Sequence, residues 1–485
     1  MSLDINNITR DHTMHVICIG GSGLRVLRSF IMLLLSGYDI PGYKIKPYIV
    51  DPHLQSKDLK FATELLAKYQ TIYSDNNKGF AKVPLVIENL SSINIIKISN
   101  NQTFGDFIGY NEMKDKNAQY LVDMLYSDIN IRKPMTVGFK GSPNVGNVVF
   151  QEFVKDNSFR NDFGNFTQND KVILLGSLFG GTGASGIPTI AKALKSLYSQ
   201  LPIAAVTLTP YFKLNDPDPT AVDKEIDSSN FETKSLAALN YYSEHNKDIN
   251  TFYVLGDTLS SKYEYDEEHQ GNKAHLIEIV AATAIKNFAE KQVSNSSKNA
   301  DWEMFFIEND NPKMSYDDCG HGLHEVLNNL ANFYALSKFM YLMKEDKRYP
   351  FYKKYYQKLI QVGDNASILE TFEKIIFNED EDENKNDSDS FIRWLGEIRD
   401  NNRTLNAINT DDIVSPQKGE KKYHFNPKTP NKVFNGTEKL QDVDMSQYFL
   451  SINNRYRKVL QQDSQIMKVS DFLNICCAGI METNK

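Results

Sequence analysis

Between Met14 and Glu290, short apolar runs alternate with longer stretches whose apolar residues recur at helical spacing. His15–Ile19 reads as a strand, followed by a glycine turn and the helix-like RVLRSFIMLLLSG. KIKPYIVDPHLQSKDL reads as a second strand ending at Asp51, with another helix beyond it. MTVGFKGSPNVGNVVFQEF turns through glycine and proline into a helix, and KVILLGSLFGGTGASGIPTIAKAL (Lys171–Leu194) is a further strand–turn–helix unit. LPIAAVTLTPYF and TFYVLGDTL read as buried strands. NKAHLIEIVAATAIKNFAEK places Leu276, Ile277, Ile279, Val280, Ala284 and Phe288 on a helical period with no internal glycine or proline, which predicts a long core helix. This alternation predicts an α/β fold built on a doubly wound parallel sheet.

The pattern changes after Lys291. WEMFFIE predicts one strand, and His321–Met343 and Tyr352–Val362 predict helices rich in aromatics. Asn378–Ser390 (NEDEDENKNDSDS) is an acidic run, read as an exposed loop in preference to an interaction tail. Lys418–Lys432 is polar with two prolines and reads as loop, whereas the C-terminal NICCAGIME is apolar enough to return to a core. The first ~12 residues are polar and are expected to be loose.

The chain of 485 residues is long enough for two or three domains. A net charge of −8 speaks against bulk electrostatic binding of nucleic acid. Four cysteines (Cys18, Cys319, Cys476, Cys477) make no disulfide framework, so a reducing, cytoplasmic compartment is expected. The longest apolar run, FIMLLLSG, is too short to span a membrane and follows a glycine turn, so it reads as a core helix and not as a signal peptide.

The candidate chemistry lies in three glycine turns: Gly20, Gly21, Ser22 and Gly23; then Gly141, Ser142, Pro143, Asn144 and Gly146; then Gly180, Gly181, Thr182, Gly183, Ala184, Ser185 and Gly186. A glycine-rich turn into a helix exposes several backbone N–H groups beside the positive end of the helix dipole, which suits a phosphate. One such turn is weak evidence. In a doubly wound sheet, however, the loops after successive strands converge on one edge, and three turns with Asp51 among them could wrap a nucleotide. There is no GxxxxGK[ST], no GxSxG and no HExxH, and the first turn, GGSGLR, does not fit GxGxxG. Cys319, His321 and His324 in CGHGLH are conceivable metal ligands, but no second cluster completes a site, and a loop entering a helix is the preferred reading.

In order and wording these segments resemble the tubulin/FtsZ superfamily over roughly Met14–Glu290. FGGTGASGIPTIA (Phe179–Ala191), with Pro188 in the following helix, is similar to that family's GGTG phosphate loop. GSPNVG resembles its loop beside the terminal phosphate, IGGSG its first loop, and IVDPHLQSKDL the segment that brings an acid, here Asp51, near the nucleotide. AAVTLTPYF resembles the strand and loop that approach the ribose. The resemblance implies a nucleotide-binding domain over 1–271, a central helix over 272–291 whose first residues face the base, with Asn272 the candidate, and a divergent, mostly helical region over 292–485 with an acidic loop near 378–390. Two departures stand out. Ser185 replaces the last glycine of the phosphate loop, and the ribose loop, Lys213–Asp227, is longer and acidic.

The same resemblance implies GTP or GDP as ligand, Mg²⁺ on the β/γ oxygens, and a homo-oligomer or filament in which an acid beyond the central helix completes the next subunit's site. NADWE (Asn299–Glu303) puts Asp301 at that acid's position with Trp302 as its aromatic neighbour; the alternative is an ordinary loop entering a strand. The C-terminal region would then meet a protein partner that nothing in it identifies. Two rival readings stay open: a non-catalytic scaffold or switch of the same fold, and a Rossmann-type NAD(P)-dependent oxidoreductase in which Asp51 reads the ribose.

Overall fold

The computed structural model describes residues 9–484 except 74–79, 99–101, 133, 140, 215–227, 246, 259–260, 264–271, 294–299, 308–312, 315–320, 346–356, 358, 360, 362–364, 378–388, 402, 418–422, 427–432, 434–444 and 463–467. Its first half runs β1 (His12–Ile19), α1 (Gly20–Leu35), β2 (Tyr43–Val50), α2 (Lys57–Ile72), α3 (Pro143–Phe153), β3 (Lys171–Ser177), α4 (Thr182–Leu197), β4 (Ile203–Leu208), α5 (Phe231–His245), β5 (Thr251–Asp257), α6 (Leu276–Glu290) and β6 (Asp301–Ile307). The second half is mostly helical: α7 (His321–Glu345), α8 (Asn365–Phe377), α9 (Phe391–Arg399), α10 (Met445–Gln462) and α11 (Val469–Thr483).

The six strands form one parallel sheet in the order β2-β1-β3-β4-β5-β6. Backbone hydrogen bonds to Ile45 and Ile49 from the irregular segment 84–95 prolong the sheet beyond β2. Strand residues alternate between two cores. Met14, Val16 and Cys18 of β1 face one, and Ile17 and Ile19 face the other. This is the apolar run of a strand covered on both sides. Helices α1, α2 and α6 pack on the first face, and α3, α4 and most of α5 on the second.

The last crossover departs from the usual rule. The links β3–α4–β4 and β4–α5–β5 step across the sheet in one direction on the second face, whereas β5–α6–β6 continues in that direction with α6 on the first face. Its hand is therefore opposite to that of its two predecessors, against the strong preference of parallel crossovers for one hand. On that face α6 packs against α1, which is buried everywhere except Gly21 and Ser22 and carries two arginines into the core.

Arg25 Nε donates to Glu278 Oε1 of α6 at 2.7 Å, and its Nη2 donates to the Lys273 carbonyl at 2.8 Å. Arg28 grips Asp389 through Nε at 2.6 Å and Nη2 at 2.5 Å, and donates from Nη1 to Glu397 of α9 at 2.8 Å. Burial pushes the Glu397 carboxyl up, but Arg28 and Arg393 outweigh it and hold it down at about 2. Trp394, fully buried, donates to Ser29 Oγ at 3.2 Å. The C-terminal region thus closes over α1.

Several expectations need adjusting. The central helix begins at Leu276, with His275 as its N-cap, so 272–275 is an extended lead-in and Asn272 lies ahead of the first turn. β6, which falls within 292–485, joins the main sheet. Residues 378–388 of the acidic run lie outside the described residues, but Asp389 is fully buried on Arg28 and Ser390 caps α9. Cys319 of CGHGLH also lies outside them, and a helix does begin at His321. Among the described residues no helix is long and apolar enough to cross a membrane, and Cys18, Cys476 and Cys477 are free thiols.

Replacing Arg28 by Ala leaves the Asp389 and Glu397 carboxylates buried without their cation. A loss of about 3–5 kcal/mol in denaturant-induced unfolding is expected, with α9 detaching first in hydrogen exchange.

Candidate functional site

The chain reverses its direction of travel across the sheet between the neighbouring strands β1 and β3, so their carboxyl ends flank a crevice. Gly20 follows β1 with φ +69°, a backbone that L side chains rarely adopt, and a Cβ there would stand 2.9 Å from the Thr182 Cβ. The first and third glycine turns therefore touch. A Cβ on Gly138, just ahead of the middle turn, would be 4.0 Å from both Thr182 Oγ1 and His53 Cβ. One on Gly181 would be 3.0 Å from the Ser142 nitrogen. Loops that follow β1, β2 and β3, and the loop before α3, thus meet over one edge of the sheet.

Two helices begin at this edge, α1 at Gly20 and α4 at Thr182. Amides of a first helical turn have no partner within the helix and sit at the positive end of its dipole. Gly21, Ser22, Gly180, Thr182 and Ala184 are partly exposed and can face a ligand. Gly20, Gly23, Gly181, Gly183, Ser185 and Gly186 are buried and set the loops against one another. In the middle turn Gly141, Ser142 and Pro143 are half-buried and Asn144 is exposed.

Ser185 lies in the first turn and a half of α4, and its hydroxyl does not face the crevice. It donates to the Gly181 carbonyl at 2.6 Å, one turn back along α4. A Cβ on Gly146 would collide with that Oγ and come within 2.8 Å of the Phe139 ring. The last glycine of GSPNVG is thus explained by packing against Ser185, not by contact with a ligand. Pro188 sits inside α4, where it removes one helical hydrogen bond without ending the helix.

The floor of the crevice is acidic. Burial pushes the Asp51 carboxyl up to about 7, against the pull of the His53 N–H, which donates to it at 3.0 Å. Burial also pushes Asp58, in the first turn of α2, up to about 7 against the attraction of Arg25. Its Oδ2 lies 3.4 Å from where a Cβ of Gly21 would stand, directly under the first turn. At the rim, Lys234 of α5 donates to the Gly141 carbonyl at 2.8 Å and brings a cation to the middle turn. Behind the crevice Tyr211 donates to Glu278 at 3.2 Å, and Arg25 lies over the Tyr263 ring at 5.3 Å. His275 stacks obliquely on Tyr211 at 5.1 Å, and burial holds its pKa down at about 3, so it is neutral.

Neither Asp58 nor Lys234 stands out in the sequence. An acid just after a Ser cap reads as a partner for the helix dipole, and a lysine in FETKSLAAL reads as a solvated face. Asn272 is half-buried, next to the Lys273 carbonyl that Arg25 holds. Asp301 is not in the crevice. It opens β6 opposite Thr251, at the amino-terminal edge of the sheet, with a 62 % exposed side chain 3.4 Å from Lys291. A cavity of about 200 Å³ also opens toward that amino-terminal edge, lined by His15, Lys46, Tyr48 and Phe166, and none of the sequence-predicted residues lines it.

Two tests follow from this geometry. Gly146→Ala is expected to destabilise the fold by about 1–3 kcal/mol through overpacking, and adding Ser185→Ala to recover part of that loss in a double-mutant cycle. Asp58 binds a proton in the folded chain between pH 4 and 7, where the unfolded chain has lost it, so its contribution to stability falls as pH rises through that window and the full cost stands above pH 7. Asp58→Asn removes the titration. Unfolding at pH 8 is expected to show a gain on the order of 2–4 kcal/mol over the parent chain, shrinking toward pH 4.

No protein-family model matches this chain, and no curated protein matches it.

Proposed function

We propose that the chain is a nucleotide-binding protein whose phosphate site is the crevice between β1 and β3, with guanine nucleotide as the ligand. The observation that carries this reading is the contact of the first glycine turn with Thr182 of the third, at the topological switch point, with two helix N-termini beside it. The partly exposed amides at Gly21, Ser22, Gly180, Thr182 and Ala184 would hold phosphate oxygens, and Ser142, Asn144 and Lys234 would bound the terminal phosphate. The choice of guanine rests on the tubulin/FtsZ resemblance of FGGTGASGIPTIA and GSPNVG.

Mg²⁺ suits this donor set. It takes one or two carboxylates together with phosphate oxygens and waters, and Asp51, just after β2, and Asp58, under the first turn, are buried carboxyls whose pKa values near 7 make them ready to release protons to a cation. The ion would neutralise charge on the β/γ oxygens, while the chain's own amides would orient the phosphates.

Asp301 stands at the opposite edge of the sheet from the crevice, so within one chain it would not reach the bound nucleotide. Turnover would therefore need Asp301 from a second copy, and the non-catalytic switch is the reading if none is supplied. The dinucleotide reading shares the sheet topology, but it leaves the middle glycine turn without a task.

Thermal unfolding with GTP, GDP, ATP and NADH, each with Mg²⁺, tests the ligand. GTP or GDP at about 100 times its Kd is expected to add about 2.7 kcal/mol of stability and raise the midpoint, while NADH leaves it unmoved. A rise with NADH alone would replace this reading by the dinucleotide one; no rise with any of the four would leave the turns purely structural. For turnover, the GTPase rate per chain is expected to climb with protein concentration, and Asp301→Ala to abolish the climb while nucleotide binding persists.

A further inference from the structure

The hand of the last crossover leaves β6 open. With α6 on the first face of the sheet, the face of β6 that a crossover of ordinary hand would cover bears Trp302, Met304 and Phe306. Trp302 stacks on Phe252 of β5 at 4.6 Å and 12°, which fixes which side chains point that way. Met304 is 67 % exposed and Phe306 44 % exposed, and Phe305 on the other face is 37 % exposed.

β6 also ends the sheet. Asp301 N–H donates to Asn250 O at 2.9 Å and Ile307 O accepts from Thr258 N at 3.3 Å, so the odd-numbered residues bond to β5. Trp302, Met304 and Phe306 therefore turn their N–H and C=O groups outward, where no strand pairs with them among the described residues. Edge strands are usually blunted by lysine, proline or a bulge. DWEMFFI has no lysine or proline, and both its acids are held by Lys291 of their own chain, Asp301 at 3.4 Å and Glu303 at 2.5 Å.

We propose that β6 pairs antiparallel with β6 of a second copy of this chain, about a two-fold axis at Met304, and so joins two sheets into one. The charges exclude the registers on the amino-terminal side of Met304, and of those that remain an axis at Met304 alone pairs all of residues 301–307 with one another. An axis at residue 302 would set Asp301 opposite Glu303 of the second copy, and an axis at 303 would set Glu303 opposite Glu303. Like charges directly opposite one another are destabilising. An axis at Met304 sets Glu303 opposite Phe305 and Asp301 opposite Ile307, places Trp302 beside Phe306 twice, and puts the two Met304 side chains together. A parallel arrangement has no two-fold axis and would stack the acids. The pairing uses neither the crevice nor a nucleotide, and as an isologous contact it closes at two copies.

Sedimentation of the nucleotide-free, full-length chain between about 1 and 100 µM tests the proposal. The expected result is a reversible rise from the 55.3 kDa chain to twice that mass and no further. Met304→Lys changes an exposed side chain, and is expected to keep the circular dichroism of the parent and to raise the dimer's dissociation constant by about 100-fold. Met304→Cys supplies an independent readout should that variant fold poorly: paired positions of this kind lie about 5.5 Å apart at Cα, within disulfide reach, so mild oxidation should yield a covalent dimer that the parent chain does not form. A monomer throughout the range, an open-ended series of larger species, a dimer indifferent to Met304→Lys, or a dimer that Met304→Cys fails to cross-link would each overturn it.

Discussion

Two guanidinium groups on one buried helix organise this molecule. Arg25 and Arg28 lie in the core with α1, and a charge in such a place must find carboxylates or be very costly. Arg25 takes Glu278 from α6, and Arg28 takes Asp389 and Glu397 from the C-terminal region. The first pairing accompanies the unusual position of α6 on the face of α1. The second makes the C-terminal helices part of the same core as the sheet, as the continuity of the first hydrophobic cluster from Met14 to Ile480 also shows.

That arrangement reaches the crevice by a short path. α1 begins at the first glycine turn, and its Arg25, one turn further along, holds the Lys273 carbonyl just ahead of α6. The same lead-in is held from the other side, where Ala274 N–H donates to Glu397 at 3.1 Å and Asn401 donates to the Ala274 carbonyl at 2.6 Å. The first turn, the start of the central helix and α9 are thus tied through one hydrogen-bonded cluster. A buried cluster of this kind has well-defined geometry, because any rearrangement would strand a charge.

The strands, the turns and the central helix were legible in the sequence because each is written in local chemistry: apolar runs, glycine clusters, and a glycine-free helical period from Leu276 to Phe288. The convergence of the turns was inferable only through the general behaviour of doubly wound sheets, and the contact between Gly20 and Thr182 is its tertiary form. The reading of individual residues was less direct. Ser185 as a hydroxyl for a ligand and Ser185 as a helix-internal donor are the same letter in the sequence, and only the position of the Gly181 carbonyl separates them.

The sequence alone therefore determined the class of fold, the order of its units and the three glycine turns, since periodicity and backbone freedom are properties of short segments. Tertiary structure decided the rest. It placed Asp58 and Lys234 at the crevice, set Asp301 at the far edge, buried Asp389 out of an apparently solvated acidic run, and put α6 on the face that leaves β6 open. Each of these depends on which residues from distant parts of the chain must neutralise or cover one another, and a buried charge such as Arg28 chooses its partner 361 residues away by geometry that no local pattern carries.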